Sequence, residues 1–148
     1  NNPKILSNMR DNFPDPFLLS DALDFIHKER SEIVAKSFVI TYNGDFAGVI
    51  GLIYYGSCYK HSAELGFWLG EPFWEKKIGK TAVQLMLKHS FLNLYLSRIF
   101  CKVFEYNSSS MKLLTSVGFE LEGIGRKAIQ KNGKLYDEYH YAILNNNQ

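Results

Sequence analysis

Alternating apolar and polar positions mark the strands of this chain. In Glu64-Leu-Gly-Phe-Trp-Leu69, residues Leu65, Phe67 and Leu69 share one side and Glu64, Gly66 and Trp68 the other, the two-residue period of a strand. Glu71-Pro72 ends that run. From Ile78 the period lengthens, and Ile78, Ala82, Leu85, Met86, Phe91 and Leu92 recur at helical spacing. A helix is therefore predicted from about Lys77–Gly79 to Leu94. Further strands are predicted at Ser37 to Tyr42, Phe46 to Tyr55, Ile99 to Phe104, Phe119 to Ile129 and Leu135 to Ile143. Asn43-Gly44 and Asn132-Gly133 are the hairpin turns.

The remaining segments read as helix and loop. Pro3 to Arg10 suits a short helix, and a loop with Phe13, Pro14, Pro16 and Phe17 follows. Ser20 or Asp21 fits an N-cap for a helix with Ala22, Leu23, Phe25 and Ile26 on its buried face. Asn107 or Ser108 caps a helix through Leu113, Leu114 and Val117, which Gly118 closes. The polar tail from Asn145 to Gln148 is expected to fray. This order predicts a single α/β domain over residues 1–148. Its mixed sheet is antiparallel except where the long helix crosses between the strands at Glu64 and Ile99.

Composition narrows the function. A chain of 148 residues, 46% hydrophobic, can bury a real core, and a formal charge of +2 is too small to imply nucleic acid or an acidic membrane as main partner. Its two cysteines, Cys58 and Cys101, are too few for a secreted disulfide framework and fit reduced thiols in a cytoplasm. No apolar run reaches the roughly 18 residues needed to span a bilayer, and no signal peptide is visible. The four histidines share no metal-ligand spacing with cysteines or carboxylates, so no metal site is expected. The chain opens Asn1-Asn2 without an initiator methionine, which fits a sequence continuing upstream.

Candidate chemistry gathers at the start of the long helix. Lys76, Lys77 and Lys80 crowd an end where acidic residues are usual and where the first backbone N–H groups lack partners. Two readings stand: a seat for an anion such as a phosphate, or a solvated lysine cluster. A parallel crossover pair beside such a helix start is where ligands bind in sheets of this kind.

The run Glu64-Leu-Gly-Phe-Trp-Leu69, then Pro72-Phe-Trp-Glu-Lys-Lys-Ile-Gly-Lys-Thr-Ala82, resembles the acetyl-CoA motif of the GCN5-related N-acetyltransferases (GNAT), in particular the ribosomal-protein N-terminal acetyltransferase branch. Val103-Phe-Glu-Tyr-Asn-Ser-Ser-Ser110 with Gly118-Phe-Glu-Leu-Glu-Gly123 is similar to that branch's second block, and Asp11 to Phe17 with Asp21-Ala22 to its substrate-side loop and helix. Four positions depart from the pattern. Glu75 and Lys77 stand where the family has glycines, leaving only Gly79. The strand that family members have before the segment matching Asn1-Asn2-Pro3-Lys4-Ile5 is absent here. Leu114 stands where many members place a tyrosine acid, and Ile129 where another type places a glutamate base.

The resemblance implies a GNAT-like mixed, mostly antiparallel sheet and direct acetyl transfer from acetyl-CoA, as co-substrate, to a primary amine of a small molecule or protein N-terminus. The strands at Glu64 and Ile99 would diverge, helped by a bulge, and the backbone of Phe67, Trp68 and Leu69 would pair with pantetheine. The N–H groups of Lys77, Ile78, Gly79, Lys80 and Thr81 would hold the pyrophosphate, with Lys76 adding charge and Trp74 screening it. That nest survives Lys77 if φ there stays negative; a position needing positive φ would distort it. Glu64 is the candidate base, against a solvent-facing strand glutamate. Asn107 would bond pantetheine or simply cap its helix, and Ser110 would protonate the leaving thiolate or be an ordinary first-turn serine, with Tyr106 an alternative donor. Arg10, Phe13 and Pro14 would line the acceptor side, or Arg10 would pin the loop to Asp11 or Asp15. The altered positions keep open a non-catalytic CoA-binding or interaction module, and the unpaired sheet edge suggests a homodimer.

Overall fold

Six strands form close to where the alternation places them, in the computed structural model describing residues 1–11, 13–31 and 37–145. They are β1 (Ser37–Tyr42), β2 (Asp45–Tyr54), β3 (Ser62–Leu69), β4 (Arg98–Phe104), β5 (Glu120–Lys131) and β6 (Lys134–Leu144), in sheet order β1-β2-β3-β4-β6-β5. Every neighbouring pair is antiparallel except β3 with β4. Both hairpin turns carry positive φ at each central residue, 52° and 89° at Asn43-Gly44 and 51° and 77° at Asn132-Gly133, as the twist-matched two-residue turn requires. The helices are α1 (Pro3–Leu6), α2 (Leu19–Ser31), α3 (Ile78–Leu92) and α4 (Ser108–Ser116). Asn12 of the acceptor-side loop and the expected frayed tail beyond Asn145 lie outside the described residues.

One register detail decides what the fold can do. β3 and β4 pair only at Ser62↔Arg98, Ala63↔Ile99 and Glu64↔Phe100. Beyond that, β3 keeps its ladder with β2 as far as Leu69↔Gly48, and β4 keeps its own with β6 as far as Phe104↔Glu138. Each strand is held on its outer side while the inner sides part, so a gap opens between them. No bulge drives the parting, contrary to expectation: the register shifts are in β1–β2 and β5–β6.

The core lies on one face of the sheet under α3. Val83, Met86 and Leu87 pack with Leu52, Ala63, Leu65, Ile99 and Cys101, and Leu114 of α4 closes the layer. Three expectations need correction. Leu85 and Leu92 are 63% and 58% exposed, because the stripe that meets the sheet runs through Val83 and Met86 instead. Leu23, Phe25 and Ile26 on α2 are largely exposed, since periodicity identifies an apolar side but not what covers it. The α2 helix begins at Leu19, and Asp21 sits inside its first turn, its carboxylate accepting from Leu18 N at 2.7 Å, the reach-back half of a capping box.

Candidate active site

The gap is bordered by backbone whose partners have been replaced by side chains. Cys101 Sγ donates to Leu65 O (3.0 Å) and Trp74 Nε1 to Leu69 O (2.8 Å). Since successive peptide groups of a strand point to opposite sides, Leu65, Phe67 and Leu69 all direct their backbone into the gap. Phe67 is left between two occupied carbonyls, with no partner strand on that side. Burial, then the nearby charge of Glu64, pushes the Cys101 thiol above its ordinary range, so it stays a protonated donor.

At the far end of the gap stands the tip of α3. Its first intrahelical bond to the cap is Thr81 N to Lys77 O (3.1 Å), which leaves the N–H groups of Ile78, Gly79 and Lys80 without helical partners. No side chain caps this end, and no acidic residue occupies its first turn. The backbone here differs from what the sequence suggests. Glu75 and Lys77 both take positive φ, 59° and 61°, the region that favours glycine. The condition of negative φ set for Lys77 is therefore not met, and each L-residue in that region costs about 1–2 kcal/mol. Gly79 is closely packed: a Cβ there would lie 2.9 Å from Leu113 Cδ1 and 3.2 Å from Leu69 Cδ1, so those side-chain ends would have to shift. Lys76 turns away toward β1, its ammonium 5.9 Å from the Phe73 ring centroid.

On the other face of the sheet, Glu64 is 4% exposed, not solvent-facing. One carboxylate oxygen accepts from Tyr55 Oη and the other from Arg10 Nη2. The bond to Glu64, followed by partial burial and Glu64's charge, raises the Tyr55 pKa and keeps that hydroxyl protonated. Arg10 therefore does not pin the loop to Asp11 or Asp15; Asp11 pairs with Lys131 at 2.7 Å. Phe13 stacks on Phe17 with centroids 4.9 Å apart, and Pro14 is exposed beside them.

Not every predicted residue joins this constellation. Trp68 points to the Glu64 face and packs edge-on against Phe46. Asn107 caps α4, accepting from Ser110 N at 3.2 Å, which leaves its amide N–H groups for another partner. Ser110 is half-buried, and its hydroxyl makes no hydrogen bond among the described residues. Tyr106 Oη is already committed to Ser7 O (2.7 Å), holding the segment after α1. Leu114 is fully buried, so that position is core. Tyr55 and Cys101 are the residues that sequence reasoning missed. The Ile53-Tyr-Tyr55 end of β2 lies across a hairpin from Glu64, a signal that register alone could have supplied.

The chain that carries this geometry is similar to known proteins. Residues 2–120 match the family model of the acetyltransferase (GNAT) domain. The chain belongs to the GNAT family. The GNAT chain is 30% identical over 129 residues to the uncharacterized N-acetyltransferase YnaD of Bacillus subtilis, covering 86% of this chain and 75% of YnaD. It is 39% identical over 82 residues to the uncharacterized N-acetyltransferase p20 of Bacillus licheniformis, covering 55% of this chain and 46% of p20, so the match spans about half that relative's length. Among solved structures, spermidine N-acetyltransferase from Vibrio cholerae, in complex with CoA and spermine, superposes with a TM-score of 0.80 at 25% identity, covering 97% of this chain and 84% of that one. Among the described residues, no group of three or more His, Cys, Asp and Glu is arranged to hold a metal, and no helix is long and apolar enough to cross a membrane.

Proposed function

We propose that this GNAT chain is an N-acetyltransferase that passes acetyl directly from acetyl-CoA to the primary amine of a small molecule or a protein N-terminus. The observation that carries this is the parting of β3 from β4 between an uncapped helix tip and the buried Glu64. The donor set fits CoA: the N–H groups of Ile78, Gly79 and Lys80 suit a pyrophosphate, and the gap-facing backbone of Phe67 suits pantetheine amides. Lys77, Lys80 and Thr81 border that seat, and Trp74 stands at its entrance with its indole already anchored on Leu69 O.

In the reaction the amine nitrogen bonds to the acetyl carbon, the carbon–sulfur bond breaks, one proton of the ammonium passes to Glu64 directly or through water, and the second, shed by the nitrogen as the amide forms, is relayed through the Ser110 hydroxyl to the leaving thiolate. Phe67 N–H stabilises the charge that develops on the thioester oxygen. An α-amino group, with a pKa of about 7.7–8.0, is easier to deprotonate than lysine at about 10.4, so one carboxylate suffices best for an N-terminus or a similarly acidic amine. Asn107 orients pantetheine through its free amide N–H groups while continuing to cap α4. Thiol release with a panel of amines and N-terminal peptides, alongside calorimetry with CoA, tests this reading. CoA binding without thiol release for any acceptor supports the non-catalytic module, which the buried Leu114 and the committed Tyr106 hydroxyl favour. Failure to bind CoA overturns both.

Two finer readings accompany it. The free thiols of Cys58 and Cys101 suit a reducing cytoplasm. On its outer side β1 has no partner strand among the described residues, and it borders a groove of about 590 Å³ lined by Phe38, Ile40, Ile78, Leu85 and His89. A homodimer through this edge is the proposed assembly; a monomer alone in gel filtration rules it out.

A further inference from the structure

Arg10 and Glu64 differ in one respect that bears on how the acceptor enters. The Glu64 side chain is 5% exposed and belongs to a strand in mid-sheet, whereas the Arg10 side chain is 46% exposed and belongs to the loop after α1. A buried carboxylate cannot stand without a cation except at a large cost, while a half-exposed guanidinium can return to water cheaply. Tyr55, the residue that follows β2, sets its ring 5.9 Å from that of Phe100 in β4 and keeps one Glu64 oxygen in either case. The second oxygen is held by Arg10, whose guanidinium can return to water. The guanidinium occupies the place that an acceptor's ammonium needs if Glu64 is to take its proton.

We infer that the acceptor amine enters by cation exchange, its ammonium displacing Arg10 from Glu64, so that Arg10 is a built-in competitor that sets acceptor affinity. This rests on the assignment of Glu64 as the acceptor's carboxylate. The charge on Glu64 stays balanced throughout, because one cation replaces another. The acceptors favoured are those whose ammonium stands clear of an adjacent carboxylate, which would be repelled by Glu64.

The test uses the CoA complex and the probes propylamine, 1,3-diaminopropane and alanine amide. In the wild-type chain, phenylglyoxal labelling of Arg10, read by mass spectrometry, rises about threefold when the amine saturates, because displacement frees the guanidinium. A fall in labelling means that Arg10 is covered by the acceptor, and overturns the exchange. In Arg10→Met, which keeps the apolar stem, calorimetry finds the amines bound about tenfold more tightly. Methylguanidine then competes with them, as it does not in the wild type, and Arg10→Lys restores the weaker affinity. Equal or weaker amine binding in Arg10→Met also overturns the proposal. Glu64→Gln separates the two levels. Loss of amine binding there with no gain in Arg10→Met sinks only the exchange, whereas undiminished amine binding in Glu64→Gln sinks the role of Glu64 itself.

Discussion

The two sides of the β3–β4 gap are made of different material. On the side proposed for CoA the usable groups are peptide N–H and C=O: the tip of α3, the backbone of Phe67, and carbonyls covered by Cys101 and Trp74. On the side proposed for the acceptor they are side chains, Glu64, Tyr55 and Arg10, joined by hydrogen bonds across 54 residues of chain. A backbone site depends on conformation, which Glu75 and Lys77 adopt at positive φ without being glycine. A side-chain site depends on identity. The proposed roles therefore predict that the loop motif keeps its function with altered letters, while a change of the carboxylate does not.

The sharpest way to break this comparison is at Glu64. Glu64→Gln is expected to lower kcat for any acceptor by about 10²–10⁴-fold, the range for a lost general base, with CoA affinity unchanged. Single-turnover acetyl transfer and CoA calorimetry on the same preparation check it; a parallel loss of CoA binding means that the two sides are not separable.

Next in size is Gly48, which backs the end of β3. A Cβ there would lie 2.1 Å from the Trp68 carbonyl oxygen, a backbone atom that cannot swing aside. Gly48→Ala is expected to cost about 3 kcal/mol, the upper end for overpacking, in a urea melt. It should also weaken CoA, because the Phe67–Leu69 backbone moves with it. A neutral substitution would mean that β3 is looser than its ladder implies.

Lys77→Gly separates conformation from charge. Relief of an L-residue at positive φ outweighs the added freedom of glycine, so stability should rise by about 0.5–1 kcal/mol, or about 1–4 °C in Tm. If the backbone holds the pyrophosphate, CoA affinity at high salt is unchanged and only the low-salt affinity drops. A loss that persists at high salt places the binding in the lysine side chain instead.

The sequence carried the CoA side better than the acceptor side, for a physical reason. Alternation, the Asn-Gly turns and the helical run after Ile78 are local and together imply the crossover, while the gap was an expectation carried by the resemblance to the GNAT motif. The Arg10–Glu64 pair is set by how the loop after α1 lies on the sheet, which no spacing encodes. The same holds for α2, where Leu23, Phe25 and Ile26 have helical spacing yet stay exposed. Positive φ at Lys77 was equally hidden, because a lysine gives no local sign of it. Glu64 was legible as a residue but not as a buried one, since its partners come from the residue after β2 and from the N-terminal loop.

The smallest effect concerns how that loop is tethered. Lys4 and Asn2 hydrogen-bond Glu71, just past β3, and hold its pKa below the ordinary 4.5, Lys4 being the larger cause. A carboxylate with a depressed folded-state pKa stabilises the fold above its unfolded value and loses that contribution as pH falls through the folded one. The tether of α1 should therefore hold above pH 4.5 and loosen below it. Partial exposure of both side chains and salt keep the effect small. Tyr106 and Lys131 hold the following segment through backbone carbonyls, Ser7 O and Met9 O, that do not titrate. Hydrogen exchange at Ser7 N–H, which bonds Pro3 O, should thus speed up in acid before exchange at the α3 core does. Glu71→Gln should remove the pH step while leaving the faster exchange at every pH. If the step persists in that variant, the acid-sensitive contact lies elsewhere, and the acceptor-side loop is held by the sheet rather than by its own N-terminal charges.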